Sequence, residues 1–218
     1  MDWFNVNGEN EIKLSIICKD KYLGCLSPEE MKELLKFEEP VTEKHLLLSS
    51  KAWAAFRENS PEFWCQLLNE DISVLPFLKG AVIRVLEEYP SCNNGLSRTG
   101  QQALEIISKG EKLAGKVFGL NQELEERVFL GDSSFWVILQ EFIDSSPALL
   151  TLPEGKKLTL PTAKDQELSI TPVGLEVLSG KRNWLEITSL DRWVGGVHLE
   201  LSNVWCWNSG SGSIEKRA

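Results

Sequence analysis

Positive charge is scarce in this chain: 23 lysines and arginines stand against 32 aspartates and glutamates, for a formal net charge of -9 at pH 7. Neither half is basic. A surface without a cationic excess holds a polyphosphate backbone poorly, so nucleic acid is not the expected partner. Histidine is rarer still, with only His45 and His198. The five cysteines (Cys18, Cys25, Cys65, Cys92 and Cys206) are odd in number, scattered, and never spaced C-x-x-C. That pattern argues against a metal knuckle and for reduced thiols in the cytoplasm. No apolar run is long enough to span a membrane. The opening "MDWFNVNGENEIKLS" lacks the cationic start and apolar stretch of a signal peptide. A cytoplasmic protein that does not engage a membrane is expected.

What is present reads as a mainly helical α+β chain. "EIKLSIIC" alternates Ile12, Leu14 and Ile16 and predicts a strand over 12–18. "SPEEMKELLKF" starts a helix with Ser27 as N-cap, Pro28 next and Glu30 completing a capping box. "EKHLLLSSKAWAAF" offers Leu46, Leu47, Trp53 and Phe56 as an apolar stripe. "SPEFWCQLL" repeats the Ser-Pro-Glu start, and "SVLPFLKGAVIRVLEEYP" runs at helical spacing until Pro90. These elements predict a strand and linker over 1–26 and a helical domain over 27–90. Turn-rich "PSCNNG" at 90–95 is the expected boundary.

Beyond it, helices are expected from Ser97 to Gly110, across "EKLAGKVFGLNQELEERVF" as one helix or as two short ones with a break near Gly119, and from Asp132 with Phe135, Leu139, Phe142 and Ile143 buried. "ALLTL", a charged loop around Gly155-Lys156-Lys157, and "ELSIT" make a two-stranded wing, followed by the short helix "PVGLEVLSG". Three helices, a wing and a trailing helix are the order of a winged-helix-like domain, here 96–208, closed by a C-terminal β-hairpin. "GSGSIEKRA" reads as a flexible polar tail over 209–218.

"YLGCLSPEEM", "AWAAF", "LPFLKGAV", "PSCNNGLSRTGQQAL", "FLGDSSFW", "LSITPVGLEVLSG" and "DRWVGGVHL…VWCWN" follow one another from about Tyr22 to Asn208. As an ordered set they resemble the motifs of an uncharacterised bacterial family, domain of unknown function eighteen thirty-five, with its associated carboxy-terminal region. The resemblance implies that residues 1–26 are the remnant of an amino-terminal α/β domain otherwise missing here. Two positions depart from the pattern. Gly100 stands where the family usually has an acidic residue after "SRT", and Cys206 stands where an arginine is usual. The resemblance implies an architecture and carries no activity to any residue.

No catalytic constellation is expected. A cysteine nucleophile needs a base beside it. Cys18 and Cys65 sit in apolar patterns and read as core, while Cys25 and Cys92 lie near turns. A zinc site needs four ligands or three with water, and none is assembled by spacing. "VGGV" is followed by neither a helix start nor Lys-Ser/Thr, so it is no phosphate loop. No cofactor is expected. In the winged-helix segment, the third helix, "SSFWVILQEFIDSS", lacks the Arg and Lys that read a major groove, and Glu141 and Asp144 would repel phosphates. Lys156, Lys157 and Lys164 in the wing could touch a backbone without reading sequence.

"DRWVGGVHLELSNVWCWN" alternates on both sides of Ser202-Asn203 and predicts a hairpin turning there. That register puts Val197, Leu199, Leu201, Val204 and Cys206 on a core face and His198, Glu200, Trp205 and Trp207 on the other, with His198 against Trp207. Arg192 is expected to pair with Asp191 or stack on an indole. The candidate partner-contact surface is therefore Arg192, Trp193, His198, Trp205 and Trp207. The leading functional expectation is a non-enzymatic regulatory or protein-interaction module that binds another protein, itself, or its missing amino-terminal domain. A transcription-associated DNA binder and a small-molecule enzyme are the alternatives. The strand at 12–18 is expected to pair with the wing, with the hairpin, or across a dimer.

Overall fold

A computed structural model of the chain describes residues 1, 3–4, 12–20, 22–154, 156–159 and 166–217. It is mainly helical α+β, with eight α-helices and small antiparallel sheets among the described residues. The chain forms two units, Met1–Leu86 with Trp193–His198, and Glu87–Arg192 with Leu199–Ala218.

In the first unit, strand β1 (Ser15–Ile17) pairs antiparallel with β2 (Glu38–Pro40), Ile16 lying opposite Glu39. The strand's neighbour is thus local, and none of the three expected from sequence. "EEP" reads as loop because it is charged and contains proline, yet an edge strand tolerates both. Helix α1 (Pro28–Glu33) begins at the Ser27 capping box, Glu30 N donating to Ser27 Oγ at 3.2 Å and Ser27 N to Glu30 at 2.8 Å. Helices α2 (Glu43–Arg57), α3 (Glu62–Leu68) and α4 (Leu78–Leu86) follow. The buried row of α2 is His45, Leu48 and Ala55, whereas Leu47, Trp53 and Phe56 are exposed. Side-chain size misleads here, because the inward row is built from smaller residues. Thr42 N donates to His45 Nδ1 at 3.2 Å, so His45 serves as the reciprocal half of a helix cap. Cys18 and Cys65 are half-buried, not core.

The second unit begins earlier than expected. "PSCNNG", the expected boundary, is a hydrogen-bonded loop inside this unit: Ser91 N donates to Leu96 O, Gly95 N to Ser91 O, and Trp207 N to Pro90 O. Helix α5 (Arg98–Ser108) starts at Ser97, whose Oγ accepts from Gly100 N. Helices α6 (Ala114–Glu123) and α7 (Asp132–Asp144) pack with it around Leu104, Val117, Phe135, Leu139 and Phe142, all at most 2% exposed. Strands β3 (Leu150–Thr151) and β4 (Ser169–Ile170) pair antiparallel, Leu150 opposite Ile170. The α5–α6 connection adds a third strand-like segment: Leu113 bridges Glu167, and Leu168 N donates to Lys112 O at 2.8 Å. Helix α8 (Pro172–Leu178), capped by Thr171, lies so close to β3 that a Cβ on Gly174 would overlap Leu149 O. Gly100 has a similar reason to be glycine, since a Cβ there would come within 2.8 Å of the Phe142 ring.

Four strands finish the chain: β5 (Asp191–Val194), β6 (Val197–Glu200), β7 (Val204–Asn208) and β8 (Ser213–Arg217). β5 pairs with β6, and β7 pairs with β8. Glu200 bridges Asn203, so the turn after β6 is Leu201-Ser202, one residue earlier than the sequence suggests. Beyond that one bridge β6 and β7, expected as the two arms of one hairpin, lie in separate two-stranded sheets. Leu201 sits in the turn and is 74% exposed rather than core, while Val197, Leu199 and Cys206 are buried as expected. Residues 213–217, expected in a flexible tail, are a strand whose backbone groups pair with β7, Cys206 lying opposite Glu215.

Candidate functional site

A groove of about 610 Å³ opens in the second unit. One wall is α7, which offers Trp136, Val137, Gln140, Glu141 and Asp144; the other is the 184–192 segment, with Trp184, Ile187, Leu190, Asp191 and Arg192. Pro90, Gly95 and Ser97 also line it. The far wall is held by a buried asparagine. Asn94, 3% exposed, donates to Gln101 at 2.8 Å and to Val177 O at 3.1 Å, and accepts from Leu96 N. Its carbonyl receives Trp184 N at 2.7 Å, and Asn183 Oδ1 accepts from Leu185 N to start the 3-10 turn Trp184–Glu186. Trp184 then meets Phe142 edge-on, ring centres 5.2 Å apart.

Charge on this groove is mostly negative. Helix α7 carries no lysine or arginine. Asp144 accepts from Gln140 at 2.7 Å. Burial pushes the Glu141 carboxyl above the ordinary glutamate range, and Arg192 opposes that rise. A raised carboxyl favours the folded state while protonated; that contribution is complete below the unfolded pKa and is lost as pH climbs through the folded one. Glu141→Gln is therefore expected to raise the melting temperature at pH 7 and to leave it unchanged near pH 3. Paired thermal melts at the two pH values check this; a variant equally stabilised at both would contradict the burial cause.

The five candidate contact residues divide between the units. Trp205 is 6% and Trp207 8% exposed, so neither can form a contact surface. Trp205 Nε1 donates to Asn203 at 3.1 Å beneath Lys216, while Trp207 Nε1 is buried with no hydrogen-bond partner among the described residues. Arg192 donates to Glu88 O at 3.0 Å, its guanidinium 3.7 Å from the Glu88 carboxylate. Trp193 and His198 stack face to face in the first unit, centres 4.5 Å apart and 5° from parallel. His198 therefore rests on Trp193 and not on Trp207, because β6 pairs with β5 and not with β7.

Trp193, 65% exposed, stands at a hairpin tip fixed by Gly196 N donating to Phe56 O at 2.7 Å. Phe56 stacks on Trp53 at 5.5 Å, and the Arg57 guanidinium lies 5.4 Å from the Trp53 ring. Sequence reading missed this array because Trp53 and Phe56 resemble core residues. It missed the groove too, whose walls come from segments far apart in the chain.

Among the described residues no cluster of three or more His, Cys, Asp or Glu is arranged to hold a metal, and no helix is long and apolar enough to cross a membrane. No family model, curated protein or solved structure matches the chain.

Proposed function

We propose that the second unit is an acidic winged helix that binds a cationic, partly apolar segment of another protein in the α7 groove, making the chain a non-enzymatic interaction module. Its element order supports the winged-helix reading: α5, a strand-like bridge at Leu113, α6, α7, β3, β4 and α8. The resemblance to domain of unknown function eighteen thirty-five belongs to the same proposal. One observation carries the choice of partner. The open face of α7, where a DNA-reading member would place arginines, holds Val137, Gln140, Glu141 and Asp144 and faces Asp191. Aromatic and aliphatic walls bury an apolar side chain, and the carboxylates complement an arginine or lysine beside it. Lys156 and Lys157 are exposed, but two lysines against this groove do not make a cationic track; Lys164 lies outside the described residues.

The test uses two fluorescein-labelled probes at 50 mM salt: a short peptide alternating leucine with arginine, and duplex DNA of random sequence. The peptide is expected to bind, and Glu141→Lys with Asp191→Lys to weaken it by at least about tenfold. DNA is expected to give no shift at micromolar protein. Salt-dependent DNA retention with no peptide binding would overturn the proposal in favour of the DNA reading.

A further inference from the structure

We propose that Asn94-Gly95 is a self-modification site: an irreversible deamidation that the folded second unit suppresses, that starts when the 90–95 loop opens, and that then weakens the groove wall permanently. The modification is independent of what the groove binds. The fold requires both residues of the pair. Gly95 has a φ of 78°, and a Cβ there would come within 2.5 Å of Asn183 Oδ1 and 3.0 Å of Leu185 N. Asn94 is 3% exposed and needs an amide: Nδ2 donates to Gln101 Oε1 at 2.8 Å and to Val177 O at 3.1 Å, while Oδ1 accepts from Leu96 N at 3.2 Å. Asparagine followed by glycine is also open to attack by its own backbone, because no side chain shields the glycine nitrogen. The structure thus holds a labile pair where neither residue can be exchanged.

The chemistry needs only water. Gly95 N attacks Asn94 Cγ; the new C–N bond closes a five-membered succinimide, the bond from Cγ to Nδ2 breaks, and ammonia leaves with the Gly95 amide proton. Water then adds to either ring carbonyl, and the ring opens to aspartate or isoaspartate. One water enters and one ammonia departs. Three features of the folded loop oppose this. The Gly95 N–H is engaged by Ser91 O at 2.9 Å, both polar atoms of the Asn94 amide are held by other partners, and burial keeps water from the ring carbonyls. After the change the loop fits its place poorly. Aspartate sets a carboxylate oxygen against Val177 O and Gln101 Oε1, acceptor facing acceptor in a buried position. Isoaspartate adds a methylene to the backbone and displaces the Asn94 carbonyl that receives Trp184 N at 2.7 Å. Trp184 belongs to one wall of the groove.

The experiment incubates the full-length chain at pH 8 in buffer and in guanidinium chloride. Tryptic peptide 85–98 is followed by mass and by chromatographic separation of its aspartate and isoaspartate forms, with fragment masses placing the change at Asn94 rather than Asn93. Peptide 1–13 carries the chain's other Asn-Gly pair, Asn7-Gly8, which lies outside the described residues and serves as the reference in guanidinium. There both pairs are expected to convert at like rates. In buffer Asn94 is expected to convert at least about tenfold more slowly than in guanidinium, because only the opened population reacts. Gln101→Ala, which takes one acceptor from the Asn94 amide, is expected to quicken the reaction in buffer several-fold. Asn94→Asp, the product made directly, is expected to lower the melting temperature by about 5 °C or more. A smaller difference between buffer and guanidinium overturns the proposal, and so does an Asn94→Asp chain that melts with the parent. The rate ratio in the parent decides the gating even if a variant does not fold.

Discussion

Gly196→Ala is expected to destabilise the first unit by about 2–3 kcal/mol, the range of overpacking against atoms that cannot yield. A Cβ at this position would overlap the carbonyl oxygen of Arg57 and come within 2.7 Å of Glu58 O. These are backbone atoms at the carboxyl end of α2, so no rotamer change can relieve the clash. Moving the hairpin tip away breaks the Gly196–Phe56 hydrogen bond and withdraws the Trp193–His198 stack from α2. Gly195 adds a second constraint, since its φ of 61° disfavours any side chain and a Cβ would lie 2.6 Å from Phe56 O. Urea denaturation followed by tryptophan emission measures the effect. A midpoint shift worth less than about 0.5 kcal/mol would show that the tip is not seated on α2 as described.

Glu88→Ala is expected to cost about 3 kcal/mol, because it breaks a buried charge-bearing cluster from its centre. Glu88 is 9% exposed and accepts from Thr99 Oγ1 at 2.5 Å and Thr99 N at 3.3 Å, in the first turn of α5. A carboxylate there also favours the positive end of the helix. Arg192 approaches the same carboxylate at 3.7 Å. Removing Glu88 takes the carboxylate from a half-buried guanidinium and leaves a buried Thr99 hydroxyl short of its acceptor. Arg192→Met is expected to cost less, roughly 1–2 kcal/mol, since Glu88 keeps Thr99 and the helix end. If Glu88→Ala proved neutral by chemical denaturation while Arg192→Met abolished peptide binding, Arg192 would be a contact residue and not a structural one.

Local chemistry was readable from the residues. Ser27, Ser97 and Thr171 cap helices because a hydroxyl, the backbone N–H three residues on and, at Ser27, a glutamate are all that a cap needs. The stop at Gly110 was equally legible, its φ of 110° suiting glycine. What distant partners decide was not. The turn at Leu201-Ser202 was misplaced by one residue because Ser-Asn is the better turn dipeptide by local preference. β7 instead takes its register from β8 on one side and Pro90–Cys92 on the other. Trp205 and Trp207 were assigned to a surface for the same reason, and the carboxy-terminal strand was read as tail because "SIEKR" carries too little apolar signal alone. The groove follows this rule: Glu141 and Asp144 were visible as an acidic pair on a helix, but Asp191 and Trp184 reach it only through the fold.

The hairpin tip and β7 also bear on how the chain is made. Synthesis runs from the amino end, yet the first unit includes Trp193–His198 and the loop at Pro90–Cys92 pairs with β7. At about 5–20 residues per second, a nascent α2 waits on the order of ten seconds for the hairpin that joins it. Until then Trp53, Phe56 and the 90–92 backbone emerge from the ribosome without the neighbours they later hold. Neither unit can finish folding by itself during translation, and a ribosome stalled before residue 193 would hold two incomplete units at once.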